Sequence, residues 1–160
     1  MSCGLAIAAV LMLSDPQVAL AAAQPHTAAV PASVAHEPLF ADIVSRSGAL
    51  KSVVDGWAAV QLGSKAEPEA GFFESGAFMT FKAQALDLSE RDMQAHLVLK
   101  ERGTDGDLKC IMRGISEDIP RKVAALEAAP ASDRATALSE LAYLLNDNVE
   151  VITSPPRPEV

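Results

Sequence analysis

Apolar residues recur three and four positions apart through most of this chain, which is the spacing that places them on one face of an α-helix. The clearest run carries Leu108, Met112, Ile115 and Ile119. Alternating Val and Ile residues, the pattern of a half-buried β-strand, are scarce. The spacing therefore predicts an all-α fold, and the short links between helical segments favour a small up-and-down bundle of about four principal helices.

Polar residues and glycines divide the first half of this pattern. Ser47-Gly48 predicts a break in the first helical region, and Gly56 inside a helix predicts a close contact with a second helix. Ser89 and Asp92 have the spacing of a capping box, in which two side chains satisfy exposed amides at a helix start. We therefore expect a helix to begin just after Ser89.

Similar signals divide the second half of the chain. Gly103 predicts the end of one helix, and Asp107 predicts the N-cap of the next. Pro120 predicts either a kink or two abutting helices, because proline lacks a backbone donor and clashes with the preceding turn. Ser132 predicts the cap of a last helix, whose apolar pattern fades at residues 146–148.

Four of the five phenylalanines lie within residues 72–81, where Lys82 is the one neighbouring positive charge. Proteins that stack nucleic-acid bases combine aromatic side chains with a basic groove. The formal net charge of −8 and the scattered Lys and Arg residues also oppose binding to nucleic acid or to an anionic membrane. We therefore predict that these rings belong to the core, and that nucleic acid is not a partner.

The start of the chain has the character of an export signal. Residues 5–13 are apolar and uncharged, and a polar break separates them from a second run of small residues. A spanning helix needs about 20 apolar residues, whereas the apolar region of a signal peptide has about 7–15. Ala21 and Ala23 supply a cleavage site, so we predict a signal peptide at residues 1–23, cleavage before Gln24 and no stable membrane span.

Export would place the mature chain in the periplasm or outside the cell. One part of the signature is missing, because no Lys or Arg precedes Leu5, where a signal peptide usually carries positive charge. Three alternatives stay open: a true start upstream of Met1, an atypical signal, and a cytoplasmic protein whose Ala-rich leader is not a signal.

Proline and small residues set the limits of the foldable region. Residues 24–36 are Ala-rich and interrupted by proline, which is the composition of a flexible linker. Three prolines within residues 153–160 indicate an extended tail. We therefore predict one helical domain over residues 37–152, a length that suits a single domain.

Sequence motifs for chemistry are scarce. The chain carries none of the common motifs of zinc proteases, P-loops, serine hydrolases or dinucleotide binding, and no C-x-x-C-H motif for haem attachment. We therefore predict a protein that is not an enzyme and has no cofactor. Met93 and His96 lie three residues apart on one helix face, beside Asp92, and are the candidate ligands for a metal or haem in the bundle interior. Packing is the ordinary role of such a pair.

Cys110 is the candidate reactive thiol. Removal of residues 1–23 would also remove Cys3 and leave Cys110 alone in a compartment that usually oxidises thiols. On a helical wheel Cys110 lies opposite the apolar stripe, and a first-turn position beside Arg113 favours the thiolate. We expect either an accessible thiol that forms an intermolecular disulfide or a small buried residue that contacts a second helix.

Three functions from different classes remain. The first, which we favour, is a non-catalytic interaction or accessory protein whose partner is an envelope protein or a second copy of the chain. The second is a carrier of a metal, haem or another small ligand in the bundle interior. The third is a thiol-dependent redox or disulfide-linked assembly protein that acts through Cys110.

Overall fold

A computed structural model of the chain describes residues 33–60, 71–103 and 106–154. These ranges contain four α-helices and one short 3-10 helix, and they contain no β-strand. The 3-10 helix spans Val34–His36, and the α-helices, α1 to α4 in chain order, span Pro38–Val60, Gly76–Arg102, Gly106–Ala128 and Arg134–Thr153. The predicted all-α class is confirmed.

The four helices form an up-and-down bundle in which each helix packs against two neighbours. Both α1 and α3 contact α2 and α4. An ion pair joins Glu37, just before α1, to Arg102 at the end of α2, so these two helices run in opposite directions. Lys82 near the start of α2 likewise pairs with Glu127 near the end of α3. The predicted bundle topology is therefore confirmed.

Side chains from all four helices meet in one hydrophobic core, as the helical spacing of apolar residues predicts. Val34 joins this core and attaches the 3-10 helix to the bundle. The largest fully buried side chains are Phe40, Ile43, Phe78, Leu88, Leu99, Met112, Ile119, Leu126, Leu138, Leu141 and Leu145.

Aromatic rings fill the end of the bundle where α1 ends and α2 begins. The ring centroid of Trp57 lies 4.7 Å from that of Phe81 and 5.4 Å from that of Phe72. Phe73 packs edge-on against Phe78 at 5.0 Å. Phe78 and Phe81 are buried, and the other three rings pack against the core. The rings thus have the core role that we predict for them.

Two predicted helix boundaries are wrong because polar residues that resemble helix ends lie inside continuous helices. Helix α1 passes through Ser47 without a break, and the Ser47 side chain is buried. Helix α2 begins directly after Ser75, whose Oγ accepts a backbone hydrogen bond from the first turn. Ser89 and Asp92 therefore lie well inside α2 and do not form a capping box.

Glycine has a conformational role at Gly103 and none at Gly56. Gly103 ends α2 in the left-handed conformation, with φ of 67°, and its N–H donates to the carbonyl oxygen of Leu99. This confirms the predicted end of the helix. A Cβ atom at Gly56 would meet nothing within 4 Å, so the predicted close helix contact there is wrong.

Helix α3 accommodates Pro120 as one continuous helix, so the alternative of two abutting helices is wrong. Because Pro120 has no N–H, the carbonyl oxygen of Ser116 lacks the donor that a helix normally supplies four residues later. The hydroxyl of Ser89 on α2 donates to this oxygen at 2.7 Å. A side chain of the neighbouring helix thus supplies a hydrogen bond to the carbonyl that the proline leaves unpaired.

The starts of α3 and α4, and the end of α4, differ slightly from the prediction. Asp107 lies in the first turn of α3 and not at its N-cap. The N-cap of α4 is Asp133, and the Ser132 hydroxyl donates to the Asp133 carboxylate at 2.8 Å. The predicted fading at residues 146–148 is wrong, because α4 continues to Thr153.

Several predicted segments lie outside the described residues. These are the signal peptide with its cleavage site, most of the linker and most of the tail. The last residues assigned to the linker form the 3-10 helix Val34–His36, and the first residue assigned to the tail, Thr153, ends α4. Within the part of the chain that the structure describes, no helix is sufficiently long and apolar to span a bilayer.

Candidate functional site

The interior of the bundle contains a polar layer, which we define as Ser47 of α1, Asp92 of α2 and Asn148 of α4. All three residues are fully buried. The Asn148 Nδ2 donates to the Ser47 Oγ at 3.1 Å, and to the Asp92 Oδ1 and Oδ2 at 3.1 and 3.0 Å. One amide group therefore joins three helices through hydrogen bonds.

Asp92 is the titratable group of this polar layer. Burial raises the pKa of its carboxyl group from 3.8 to about 7, and the hydrogen bond from Asn148 opposes that rise. The Asn148 Oδ1 is also buried, and it has no hydrogen-bond partner among the described residues. A buried charge without a counter-charge costs free energy, and so does a buried acceptor without a donor. A proton on Asp92 removes the first of these costs.

Arg91 precedes Asp92 in the sequence, but surface carboxylates bind its guanidinium. Arg91 contacts Asp42 at 2.9 Å and Asp87 at 3.0 Å, and Arg46 contacts the same two carboxylates at 2.8 and 2.9 Å. Each arginine thus bridges both carboxylates across the α1–α2 interface. The hydrogen bond from Arg91 lowers the pKa of Asp87. The pKa values of two carboxyl groups on one helix therefore shift in opposite directions. The pKa of Asp87 is lowered because Asp87 pairs with arginines, and the pKa of Asp92 is raised because Asp92 is buried.

The outward face of α2 carries an apolar stripe, which we define as Met79, Leu86 and Leu97. These side chains are 52%, 41% and 50% exposed. An α-helix turns about 100° and rises about 1.5 Å per residue, so the three lie within about 20° of one direction along about 27 Å. Single exposed apolar residues are ordinary, whereas an aligned set is typical of an interaction surface.

The structure places the predicted ligand pair beside helix α3. The His96 Nδ1 lies 2.7 Å from the backbone carbonyl oxygen of Lys109, which can only accept, so Nδ1 carries the hydrogen of this bond. Met93 is half-buried and lies seven residues after Leu86, at the edge of the apolar stripe. No group of three or more His, Cys, Asp or Glu side chains suited to a metal ion occurs in the described ranges. The metal site stays a prediction.

Cys110 lies in the first part of α3, one residue after the carbonyl that His96 contacts. Its side chain is half-buried, which is intermediate between the accessible and the core position that we considered. The reactive thiol therefore also stays a prediction.

Sequence analysis missed the polar layer, although a signal for it was present. Each of its residues occupies one position of a buried helical stripe with spacings of four, three and four. The three stripes are Ile43-Ser47-Leu50-Val54, Leu88-Asp92-Ala95-Leu99 and Leu141-Leu145-Asn148-Ile152. A polar residue at such a position indicates a buried hydrogen bond at least as well as it indicates a helix end.

Helix α2 thus carries both distinctive regions of the described chain. Asp92 lies on its buried side, and the apolar stripe lies on its exposed side. Comparison of the sequence and the structure with protein-family models, curated proteins and solved structures found no match.

Proposed function

We propose that the chain is a non-catalytic docking protein that binds a protein partner along the apolar stripe of α2. The partner would present an apolar surface that also carries basic side chains. The alignment of Met79, Leu86 and Leu97 carries this proposal, because it leaves apolar surface in water along about 27 Å of one helix.

The apolar stripe would supply the favourable free energy of docking. Transfer of apolar surface out of water contributes about 25 cal/mol per Å². Methionine side chains also adapt to irregular partner surfaces, because they are unbranched and polarizable. Met79 lies in the stripe and Met93 lies at its edge, so this surface can fit a partner that is itself a helix or a loop.

Charge favours a basic partner over a second copy of the chain. The formal net charge is −8, so two copies repel each other at low ionic strength. Glu90 is exposed on the same face, between Leu86 and Leu97. Of the cations on α2 near the stripe, Lys82 and Arg91 are bound to carboxylates of the chain itself, and Lys100 is exposed next to the exposed Glu101. A partner that carries Lys or Arg among its apolar contact residues would therefore be complementary to this surface.

The predicted export signal adds a location to this proposal. If residues 1–23 direct export, the mature chain meets its partner in the periplasm or outside the cell. We therefore propose an envelope protein as the partner. Mass spectrometry of the mature N-terminus would test the location independently of the docking surface, with Gln24 as the expected first residue.

Site-specific photo-cross-linking tests the docking surface. A photoreactive amino acid replaces Leu86 in the full chain, and the control chain carries it at Ser139, an exposed residue of α4. We expect Leu86 to give a discrete adduct with another protein in the envelope fraction, and Ser139 to give none. Adding Met79→Gln and Leu97→Gln should reduce the adduct severalfold, because both side chains are exposed and their loss leaves the core intact.

Two results would contradict the proposal. Equal labelling from Leu86 and Ser139 would show that the apolar stripe has no preference for a partner. An adduct of twice the chain mass would show that a second copy binds there. A heterologous adduct that is weaker in about 0.5 M salt would support the basic partner, because salt screens attraction between exposed charges.

A further inference from the structure

The polar layer contains a titratable side chain in an otherwise apolar interior. Among the described residues Asp92 is the one titratable group that is fully buried, and the other buried polar residues are serines and Asn148. Both Asp92 oxygens accept from the same Asn148 Nδ2. An ionised carboxylate can accept about four hydrogen bonds, so this partner set is poor for the charged form.

We propose that the polar layer is a proton-operated switch, which stabilises the bundle when Asp92 is protonated and weakens the packing of α2 against α1 and α4 when Asp92 is ionised. A protonated carboxyl group can lie in the interior at moderate cost, because it is neutral and hydrogen-bonded. An ionised one costs much more without a cation. The geometry supplies an amide donor to Asp92 and, among the described ion pairs, no cation.

Charged groups on the surrounding helices do not neutralise Asp92. The raised pKa of Asp92 is caused by burial, and the hydrogen bond from Asn148 lowers it in part. Burial and the charge of Glu150 also raise the pKa of Asp147, the neighbour of Asn148. The charged or titratable acidic, basic and histidine residues within five positions of the polar layer along the chain are Asp42, Arg46 and Lys51 on α1, Asp87, Glu90, Arg91 and His96 on α2, and Asp147 and Glu150 on α4. On α3, Arg113 and Glu117 form an exposed ion pair with each other.

The raised pKa fixes the direction of the pH effect. Asp92 has a pKa of about 7 in the folded chain and 3.8 as its ordinary value, so the folded state binds the proton more tightly. The stabilisation is complete below pH 3.8 and is lost as the pH rises through about 7. Between these values the folding equilibrium constant falls by up to about tenfold per pH unit.

Urea unfolding of the full chain at pH 5 and pH 7 tests the switch. The Asp147→Asn background removes the second carboxyl group with a raised pKa. In this background we expect the folding equilibrium constant to fall roughly 50-fold from pH 5 to pH 7. Adding Asp92→Asn should reduce that change to less than about threefold, since the amide cannot ionise.

The Asp147→Asn/Asp92→Asn double variant also serves as a control for the rest of the chain. It keeps every other titratable side chain, so a pH dependence that does not come from Asp92 is present in it as well. A fall that persists after Asp92→Asn would overturn the proposal. If the double variant does not fold, the Asp147→Asn chain alone tests the proposal. A change of less than threefold in its folding equilibrium constant between pH 5 and pH 7 would equally contradict the switch.

Discussion

The Ser116 carbonyl oxygen in α3 accepts a hydrogen bond from the Ser89 hydroxyl. In a regular helix this oxygen would accept from the backbone N–H four residues later, but that residue is Pro120, which has no N–H. Ser116 is buried, so water is a poor substitute for that hydrogen bond. The Ser89 hydroxyl and Pro120 are therefore coupled energetically, although they lie on different helices.

A double-mutant cycle tests this coupling. Ser89→Ala should destabilise the chain by about 1–3 kcal/mol, because it leaves a buried carbonyl unsatisfied. In a Pro120→Ala chain the backbone N–H returns to the Ser116 carbonyl, so the same Ser89→Ala change should cost less than about 1 kcal/mol. Urea unfolding of the four chains gives the coupling free energy. An equal cost of Ser89→Ala in both backgrounds would disprove the compensation.

The roles of Ser47, Asp92 and Asn148 were beyond local sequence reasoning. Ser, Asp and Asn favour helix ends, because their short side chains bond to nearby backbone groups. Their partners in the structure lie 56 and 101 positions away along the chain. No local window contains both members of such a pair, so the spacing of the apolar neighbours was the only available indication.

Helix ends were predictable where a local interaction determines them. Gly103 ends α2 through its own left-handed conformation, which only glycine adopts easily, and the sequence predicts that end. The start of α2 at Ser75 was missed, because the phenylalanines that follow it gave a core signal without a clear helical start. Helices α1 and α4 continue through polar residues that resemble helix ends, because packing against other helices stabilises them there. The local sequence around a polar residue does not show that packing.

Two glycine substitutions separate these effects at the level of the helix. Gly56→Ala should raise the free energy of unfolding by about 1 kcal/mol, because alanine favours the helix and the site is open. Gly103→Ala should lower it by about 1 kcal/mol, because alanine is strained at positive φ. The midpoint of urea unfolding measures both. A shift in the same direction for the two variants would contradict the assignment of either glycine.

For the whole molecule, the all-α class followed from the period of the apolar residues, and the helix number and bundle topology followed from that period together with the short links between helical segments. The period of the apolar residues shows which face of a helix is buried, and it does so whichever helix covers that face. The apolar stripe of α2 was missed, because Met79, Leu86 and Leu97 become an aligned set only when residues 76–102 form one helix. An error at one helix boundary thus concealed the surface on which the proposed function depends.

The carboxyl groups of the molecule divide between a surface that favours their charge and an interior that opposes it. The hydrogen bond from Arg102 lowers the pKa of Glu37, and the hydrogen bond from Arg91 lowers the pKa of Asp87. Their stabilisation is present above their ordinary values of 4.5 and 3.8 and is lost as the pH falls through the lower folded values. Asp92 acts in the opposite direction, so the chain should be most stable in mild acid.

Carbon-13 NMR titration of the aspartate carboxyl groups in the folded full chain measures this division directly. We predict that the Asp92 resonance titrates with a pKa of about 7, while the Asp87 resonance in the same spectra titrates below 3.8. Asp87 belongs to the same helix, so it controls for the labelling and for the folded state of α2. An Asp92 pKa near or below 3.8 would contradict a buried, uncompensated carboxyl group, and with it the proton-operated polar layer.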